Sequence, residues 1–356
     1  MKIKALALVS GGLDSLLAAR LIKEQGLEVI GLHFKIPFCK LDIKTSLPDI
    51  GIKIIEVDLG AEFLGLIQGP RYGFGSNMNP CIDCKILMFT KARECMVRLG
   101  ARFIITGEVL GQRPMSQNKQ ALRLIKQNSG LDDLLLRPLS AKFFSPSLPE
   151  REGWVERARL LDFNGRMRKP QMQLAKKLGI AKYANPAGGC LLTDPCFSKR
   201  LKELLAHQEL NLENLELLKV GRHFRIGKNS RLAVGRNEDE NNLLMRLAGP
   251  GDYLFHPQDD LAGPVSLARG PVGEELLDLC SQITCAYSDT AGADEIDVFY
   301  RQALQPVALP NGGQTTALQP VALPSGGQTT ALQPGEEEKA RRTRCVPKSN
   351  FAHLLV

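Results

Sequence analysis

Aromatic residues are scarce in this 356-residue chain: they make up 6% of it, with a single tryptophan. Composition therefore offers no evident stacking platform for bases. Long apolar runs are missing as well, so no segment reads as a membrane span. The opening Met1-Lys2-Ile3-Lys4 has a short basic lead but only a brief apolar run behind it. It reads as a first strand, not a secretory signal. A cytoplasmic chain with no membrane partner is the expectation. No lysine closes the glycine-rich turn that follows, which excludes a Walker loop.

Hydrophobic residues at 44% and charged residues at 24% suit a globular chain, and 356 residues suffice for two domains. Lysine and arginine outnumber aspartate and glutamate 46 to 38, a formal net charge of +8. That balance favours a polyanionic partner such as RNA, although basic charge alone is a weak signal. Nine cysteines in a reducing compartment point to catalysis or metal binding before disulfides.

The glycine-rich turn is Ser10-Gly11-Gly12-Leu13-Asp14-Ser15. An apolar run at 3–9 reads as a buried strand before it, and 16–22 reads as a helix after it. A glycine turn between a strand and a helix N-terminus binds anions, because backbone N–H groups and the helix dipole converge there. Gly11 and Gly12 allow close backbone approach, and Ser10 and Ser15 add hydroxyls. Asp14 is out of place beside phosphate unless a divalent cation sits between them. The plain alternative is a strand–turn–helix with two turn glycines.

Strand and helix signals alternate over roughly 1–195: strands at 28–34, 52–57 and 102–106, and a helix at 85–99. This predicts an α/β doubly wound parallel sheet with ligands at the carboxyl ends of its strands. The Ser10 loop and Thr106-Gly107-Glu108 would both lie there. After helices over 197–220, a smaller α+β domain is expected, with strands at 224–226, 231–235, 253–256, 264–268 and 296–300 and helices at 238–247 and 274–287. The expected domains are 1–200, 201–302 and a repetitive tail, 303–356. Residues 303–316 and 317–330 are two 14-residue copies differing only at Asn311/Ser325. Such Pro/Gly-rich repeats cannot build a core, and the tail is expected to be disordered and without catalytic role.

Asn79-Pro80-Cys81-Ile82-Asp83-Cys84-Lys85 is the second chemical signal. Cys-x-x-Cys brings two thiols close enough to ligate one metal or form a redox pair, and a helix start lowers a thiol pKa. Cys190 follows Gly188-Gly189 much later in the chain. Three readings stand open. Cys81, Cys84 and Cys190 could hold an iron–sulfur cluster. One thiol could carry a persulfide that another resolves. A zinc site could use Cys196 or Cys39 as fourth ligand. Cys95, Cys280 and Cys285 sit in helical apolar patterns and read as core.

The 10–15 loop resembles the SGGxDS loop of the ATP pyrophosphatases, the PP-loop family with an adenine nucleotide alpha hydrolase-like fold. Further matches are Asn79-Pro80…Cys84-Lys85, Thr106-Gly107-Glu108…Gly111-Gln112…Ser116-Gln117, Arg137-Pro138-Leu139 and Gly189-Cys190. With these, about residues 1–200 resemble the tRNA-thiolating branch, which includes 4-thiouridine synthase and 2-thiouridylase. Arg113-Pro114-Met115 after Gln112 departs from that pattern.

The resemblance implies an ATP site built from Ser10, Gly11, Gly12, Asp14, Ser15, Thr106, Gly107 and Gln112, with Mg2+ near Asp14. It implies Cys84 and Cys190 as catalytic with Asp14, and a cluster, if present, on Cys81, Cys84 and Cys190. tRNA and a sulfur donor such as a cysteine desulfurase would be the partners. Val234-Gly235-Arg236-Asn237…Asn241…Gly251-Asp252-Tyr253-Leu254-Phe255-His256…Gly263-Pro264 looks like the RNA-binding domain of the NFACT proteins. Arg222, His223, Arg225, Lys228, Arg231 and Arg236 would then supply phosphate contacts.

The expected activity is ATP-dependent sulfur transfer to a tRNA uridine. Two rivals remain. One is a PP-loop enzyme that adenylates a carboxylate or small molecule for amide formation, which needs no paired cysteines. The other is a non-enzymatic RNA- or ribosome-associated factor, which needs no intact Ser10 loop.

Overall fold

Strand β1, Lys4–Leu8, is apolar on both sides because it lies in the middle of a sheet covered on both faces. The structure is a computed structural model that describes residues 2–39, 51–183, 189–290, 292–303 and 337–356. It divides into two units, Met1–Ser198 and Lys199–Val356.

In the first unit β1 pairs in parallel with β2 (Glu28–Lys35) and β4 (Phe103–Ile105). β2 pairs in parallel with β3 (Lys53–Asp58), and β4 with β5 (Leu135–Leu136). The order β3-β2-β1-β4-β5 makes this the expected doubly wound parallel sheet. Side-chain alternation feeds two cores. Ala5, Ala7, Phe103 and Ile105 pack under helix Leu13–Lys23 and Ala175. Leu6, Ile30, Leu32 and Ile104 pack with Phe89, Ala92 and Met96 of helix Cys81–Arg98. The order reverses at β1, with β2 on one side and β4 on the other. The segments leaving β1 and β4 therefore flank a crevice, the usual ligand position in such sheets.

The second unit is a six-stranded antiparallel sheet in the order β11-β10-β8-β9-β7-β6. Its strands are β6 (Arg222–Gly227), β7 (Ser230–Val234), β8 (Tyr253–Pro257), β9 (Ser266–Arg269), β10 (Glu295–Gln302) and β11 (Lys339–Arg344). Leu232, Val234 and Phe255 face helix Glu274–Ala286. Ala233, Leu254 and Leu267 face the opposite side, with Leu217 and Leu244. This is the smaller α+β domain anticipated from the sequence.

The expectation of a disordered tail over 303–356 requires correction at its far end. Lys339–Arg344 is a strand hydrogen-bonded to β10. Phe351 is 5% exposed and belongs to the core beside Phe224 and Ile283. Leu355 bridges to Phe224, and the Val356 N–H donates to the His223 carbonyl at 2.9 Å. The repeat copies themselves lie outside the described residues. No helix among the described residues is long and apolar enough to cross a membrane.

Candidate functional site

The glycine-rich turn leaves β1 and enters helix Leu13–Lys23, whose N-terminus carries no side-chain cap. Gly11 has φ +76°, a left-handed value that favours glycine. The Ser15 hydroxyl donates to the Gly12 carbonyl at 2.8 Å and accepts from the Ser10 N–H at 3.2 Å. These bonds fold Ser10 and Ser15 across the loop and set its curvature.

His33 on β2 is buried, and its Nδ1 lies 2.9 Å from the Val9 carbonyl. The stem of the loop is thereby tied to the neighbouring strand. Thr106 leaves β4 with its N–H on the Leu136 carbonyl at 3.1 Å. Gly107 then runs directly against the loop. A Cβ there would lie 2.5 Å from the backbone of Asp14 and Ser15. Its glycine is a packing requirement, because no rotamer change can relieve a clash with backbone. Gly107→Ala is expected to cost roughly 1–3 kcal/mol and displace the loop. Thermal melting together with nucleotide titration checks this, and an unchanged melting temperature would contradict it.

Asp14 is the electrostatic oddity of the site. Gln112 Nε2 donates to its Oδ2 at 3.0 Å, and Arg168 Nη2 stands 3.9 Å from the same oxygen. Its Oδ1 is buried and accepts from nothing among the described residues. Burial raises the pKa above the usual 3.8, and Gln112, Arg168 and Arg113 only partly pull it back. A buried carboxylate with one unsatisfied oxygen fits a bound cation, so the residues present suit the magnesium that the sequence suggested.

Beside it lies a buried trio. Glu108 accepts from Lys85 Nζ at 2.5 Å and from Arg137 Nε at 2.8 Å. Burial works to raise the Glu108 pKa, but the two cations outweigh it and hold the carboxyl below its usual range. Lys85 directly follows Cys84, so the trio connects the cysteine-bearing helix to the residues leaving β4 and β5.

The thiols converge. Cys81 and Cys84 form the first turn of helix Cys81–Arg98, and the Asn79 amide donates to Cys81 Sγ at 3.3 Å. Cys190 forms an antiparallel bridge with Cys39, and the Leu191 N–H donates to the Phe38 carbonyl at 2.9 Å. Phe38 is fully buried against Phe63 and Phe197, with ring centroids 5.6 and 5.9 Å away. That packing fixes the position of Cys39.

Burial pushes the Cys84 thiol up, and Cys190, Cys81 and Cys39 push it further, against Lys85. The lowering expected from the helix start is reversed, because desolvation outweighs it. Burial also raises Cys190, to about 11, with Cys81 and Cys39 adding and Arg113 opposing. Arg113 therefore acts electrostatically on both Asp14 and Cys190.

Of the two fourth-ligand candidates, Cys39 joins this group, whereas Cys196 is exposed and does not act on Cys84. No three His, Cys, Asp or Glu side chains among the described residues are gathered tightly enough to hold a metal ion. Cys95, Cys280 and Cys285 are core residues, as read.

Sequence reasoning gave no role to Arg168, His33 or the Lys85–Glu108–Arg137 trio. For Arg168 the one available signal was a basic run, Arg166-Met167-Arg168-Lys169, ending at the helix-starting Pro170.

The basic cluster expected on the second unit is largely engaged internally, which corrects that reading. Arg225 pairs with Glu203 and Glu209, Arg231 with Glu209, and Arg236 with Glu240. Arg222 lies 4.9 Å over the Tyr287 ring. His223 is buried, and desolvation lowers its pKa to about 3, so it is neutral at physiological pH. Lys228 and Arg236 are the exposed members of the six, and of these two only Lys228 has no ion pair among the described residues. A polar cavity of about 440 Å3 in this unit, lined by Glu209, Arg231 and Arg269, is not where the thiols and loop converge. Its guanidiniums are paired with Glu209 and Asp252.

Comparison with known proteins supports both sequence resemblances. Residues 221–309 match the family described as the NFACT protein RNA binding domain. A tRNA-specific 2-thiouridylase of Marinobacter nauticus is 27% identical over 299 residues, 74% of this chain and 74% of its own length. One of Pseudomonas putida is 27% identical over 262 residues, 67% of this chain and 66% of its own length. A solved 4-thiouridine synthetase–RNA complex with bound ATP aligns at 19% identity with a TM-score of 0.36, covering 61% of this chain and 52% of its own.

Proposed function

We propose that this chain is an ATP-dependent tRNA sulfurtransferase: its first unit adenylates a uridine carbonyl and replaces the oxygen with sulfur. The observation that carries the reading is the link through Gly107 and Glu108: Gly107 packs against the backbone of Asp14 and Ser15, and Glu108 pairs with Lys85 beside Cys84. A nucleotide loop and a cysteine-bearing helix joined by two consecutive residues suit a reaction that first activates and then thiolates. The 2-thiouridylase relatives support the same reading. Amide formation would leave the converged thiols without a task.

ATP lays its phosphates along the 10–15 loop, where backbone N–H groups and the helix dipole draw negative charge. Magnesium held by Asp14 would supply further neutralisation of that charge. The uridine oxygen attacks the α-phosphate and pyrophosphate leaves. A cysteine desulfurase supplies a sulfane sulfur to the Cys190 thiol. The terminal sulfur attacks the ring carbon, and AMP departs with the former carbonyl oxygen. The Cys84 sulfur then attacks the Cys190 sulfur, releasing the thiocarbonyl and leaving a disulfide, and the Cys84 proton passes to solvent. A dithiol reductant restores both thiols.

An iron–sulfur cluster, which would supply sulfide in place of the persulfide, is the second form of the same chemistry. Cys81, Cys84, Cys190 and Cys39 are soft donors of the right kind but are not gathered tightly enough to hold a metal ion, which favours the persulfide route. The target base must be unstacked to reach the crevice, and the second unit, which matches an RNA-binding family, adds contacts to the RNA.

The test is reconstitution with tRNA, ATP, magnesium, cysteine and a desulfurase, read by nucleoside mass spectrometry. Cys84→Ser and Cys190→Ser are each expected to reduce thiolated uridine to background while pyrophosphate release continues. Thiolation that persists in both variants would reject the sulfur route. Iron that co-purifies anaerobically and is lost in Cys81→Ser would select the cluster form over the persulfide.

A further inference from the structure

Arg168 precedes helix Lys169–Lys177 and reaches back toward the start of helix Leu13–Lys23. Its backbone is held by the helix it precedes: the Met172 N–H donates to the Arg168 carbonyl at 3.0 Å. Its guanidinium is not fully engaged. Nε is buried and has no hydrogen-bond partner among the described residues. Nη2 faces Asp14 Oδ2 at 3.9 Å, too far for a hydrogen bond. Asp14 mirrors this, with Oδ1 buried and unpartnered.

A carboxylate and a guanidinium that both keep buried, unmade bonds are not a finished ion pair. A salt bridge built for stability would close to bonding distance and satisfy both groups. A gap between them is what a ligand carrying both signs requires: a metal cation for the carboxylate and a phosphate anion for the guanidinium. The uncapped helix and glycine loop lie at the same spot.

We propose that Arg168 is a phosphate-binding residue of this site, standing off Asp14 and ready to engage the β- and γ-phosphates of ATP. It would then stabilise the pyrophosphate as negative charge accumulates on the leaving group. This rests on the reading of the 10–15 loop as the nucleotide site. The competing role is structural, in which Arg168 only offsets the charge of Asp14.

Direct binding to the full chain separates the two. Affinity is measured in the presence of magnesium for inorganic pyrophosphate, ATP and adenosine, on wild type, Arg168→Gln and Arg168→Lys. Loss of one charge-assisted contact predicts at least about a ten-fold weaker affinity of Arg168→Gln for pyrophosphate and ATP. Adenosine affinity should be unchanged. Arg168→Lys should fall between, because it keeps the charge but not the planar fork. It carries the test if Arg168→Gln does not fold.

Equal affinity for pyrophosphate in wild type and both variants would overturn the proposal. An equal loss for adenosine would overturn it too, since that reports a distorted site. Wild type that binds ATP and pyrophosphate in the expected pattern but never thiolates tRNA would sink the proposed function and leave Arg168 in its role. Wild type that binds no pyrophosphate would sink both.

Discussion

Removing residues 337–356 is expected to unfold the second unit. The segment contributes β11, which pairs with β10 from Glu295↔Arg344 to Tyr300↔Lys339. It also contributes Phe351, buried in the core beside Phe224, Leu277 and Ile283. Arg341 pairs with Glu274 and Asp278 on helix Glu274–Ala286 and lies 5.6 Å from the Tyr300 ring centroid. At the opposite sheet edge Leu355 and Val356 engage β6. Deleting one buried phenylalanine side chain costs roughly 3–5 kcal/mol, and the lost strand adds to it. A domain is stable by only about 5–15 kcal/mol in total. Thermal melting and proteolysis of the truncated chain check this, and a melting temperature within a few degrees of the full chain would refute it. Excising 304–336 alone should not destabilise the unit, because each halving of the connection between β10 and β11 lowers its closure cost by about 0.6 kcal/mol, roughly 2 kcal/mol in all.

Asp14→Asn is expected to abolish pyrophosphate release while leaving the fold as stable or more so. The amide keeps the shape and the contact with Gln112 but cannot hold a cation. Removal of a preorganised group that stabilises developing charge costs on the order of 10²–10³ in rate. The stability effect has the opposite sign. The folded pKa of Asp14 is raised, burial being the main cause, so folding disfavours its ionised form. The stability that goes with the protonated acid is complete below the ordinary 3.8 and is lost as pH rises through the raised folded value. Wild type and variant should therefore melt alike in acid, and the variant should gain at neutral pH. Pyrophosphate assays alongside melts at two pH values test both halves. Near wild-type turnover with magnesium would remove Asp14 from the mechanism.

The first unit was legible because a sheet buried on both faces writes its strands as unbroken apolar runs, as in Ala5-Leu6-Ala7-Leu8 and Phe103-Ile104-Ile105. The glycine loop was legible for the opposite reason, since it interrupts such a run with residues useless to a core. β11 was not legible. Lys-Ala-Arg-Arg-Thr-Arg has no apolar alternation, and what holds it in place comes from residues as far off in sequence as Asp278 and Glu295. The basic cluster misled for a related reason: Glu203, Glu209 and Glu240, which neutralise Arg225, Arg231 and Arg236, are brought beside them by the fold. Cys81 and Cys84 announced themselves by spacing. Cys39 did not, because its tie to Cys190 exists only once the segment after β2 and the 190 segment lie side by side.

Glu108 accepts from two cations but carries a single negative charge. Lys85 and Arg137 therefore leave one positive charge uncompensated within the trio, and Lys85 places it next to Cys84. The resting thiol cannot use that charge, since burial and the neighbouring thiols keep it protonated. A sulfur that gains negative charge during turnover would find its counter-ion already positioned, with no side chain to bring in and no water to reorder. In that sense the site is solvated in advance for its most reactive moment, and its resting state bears the mismatch.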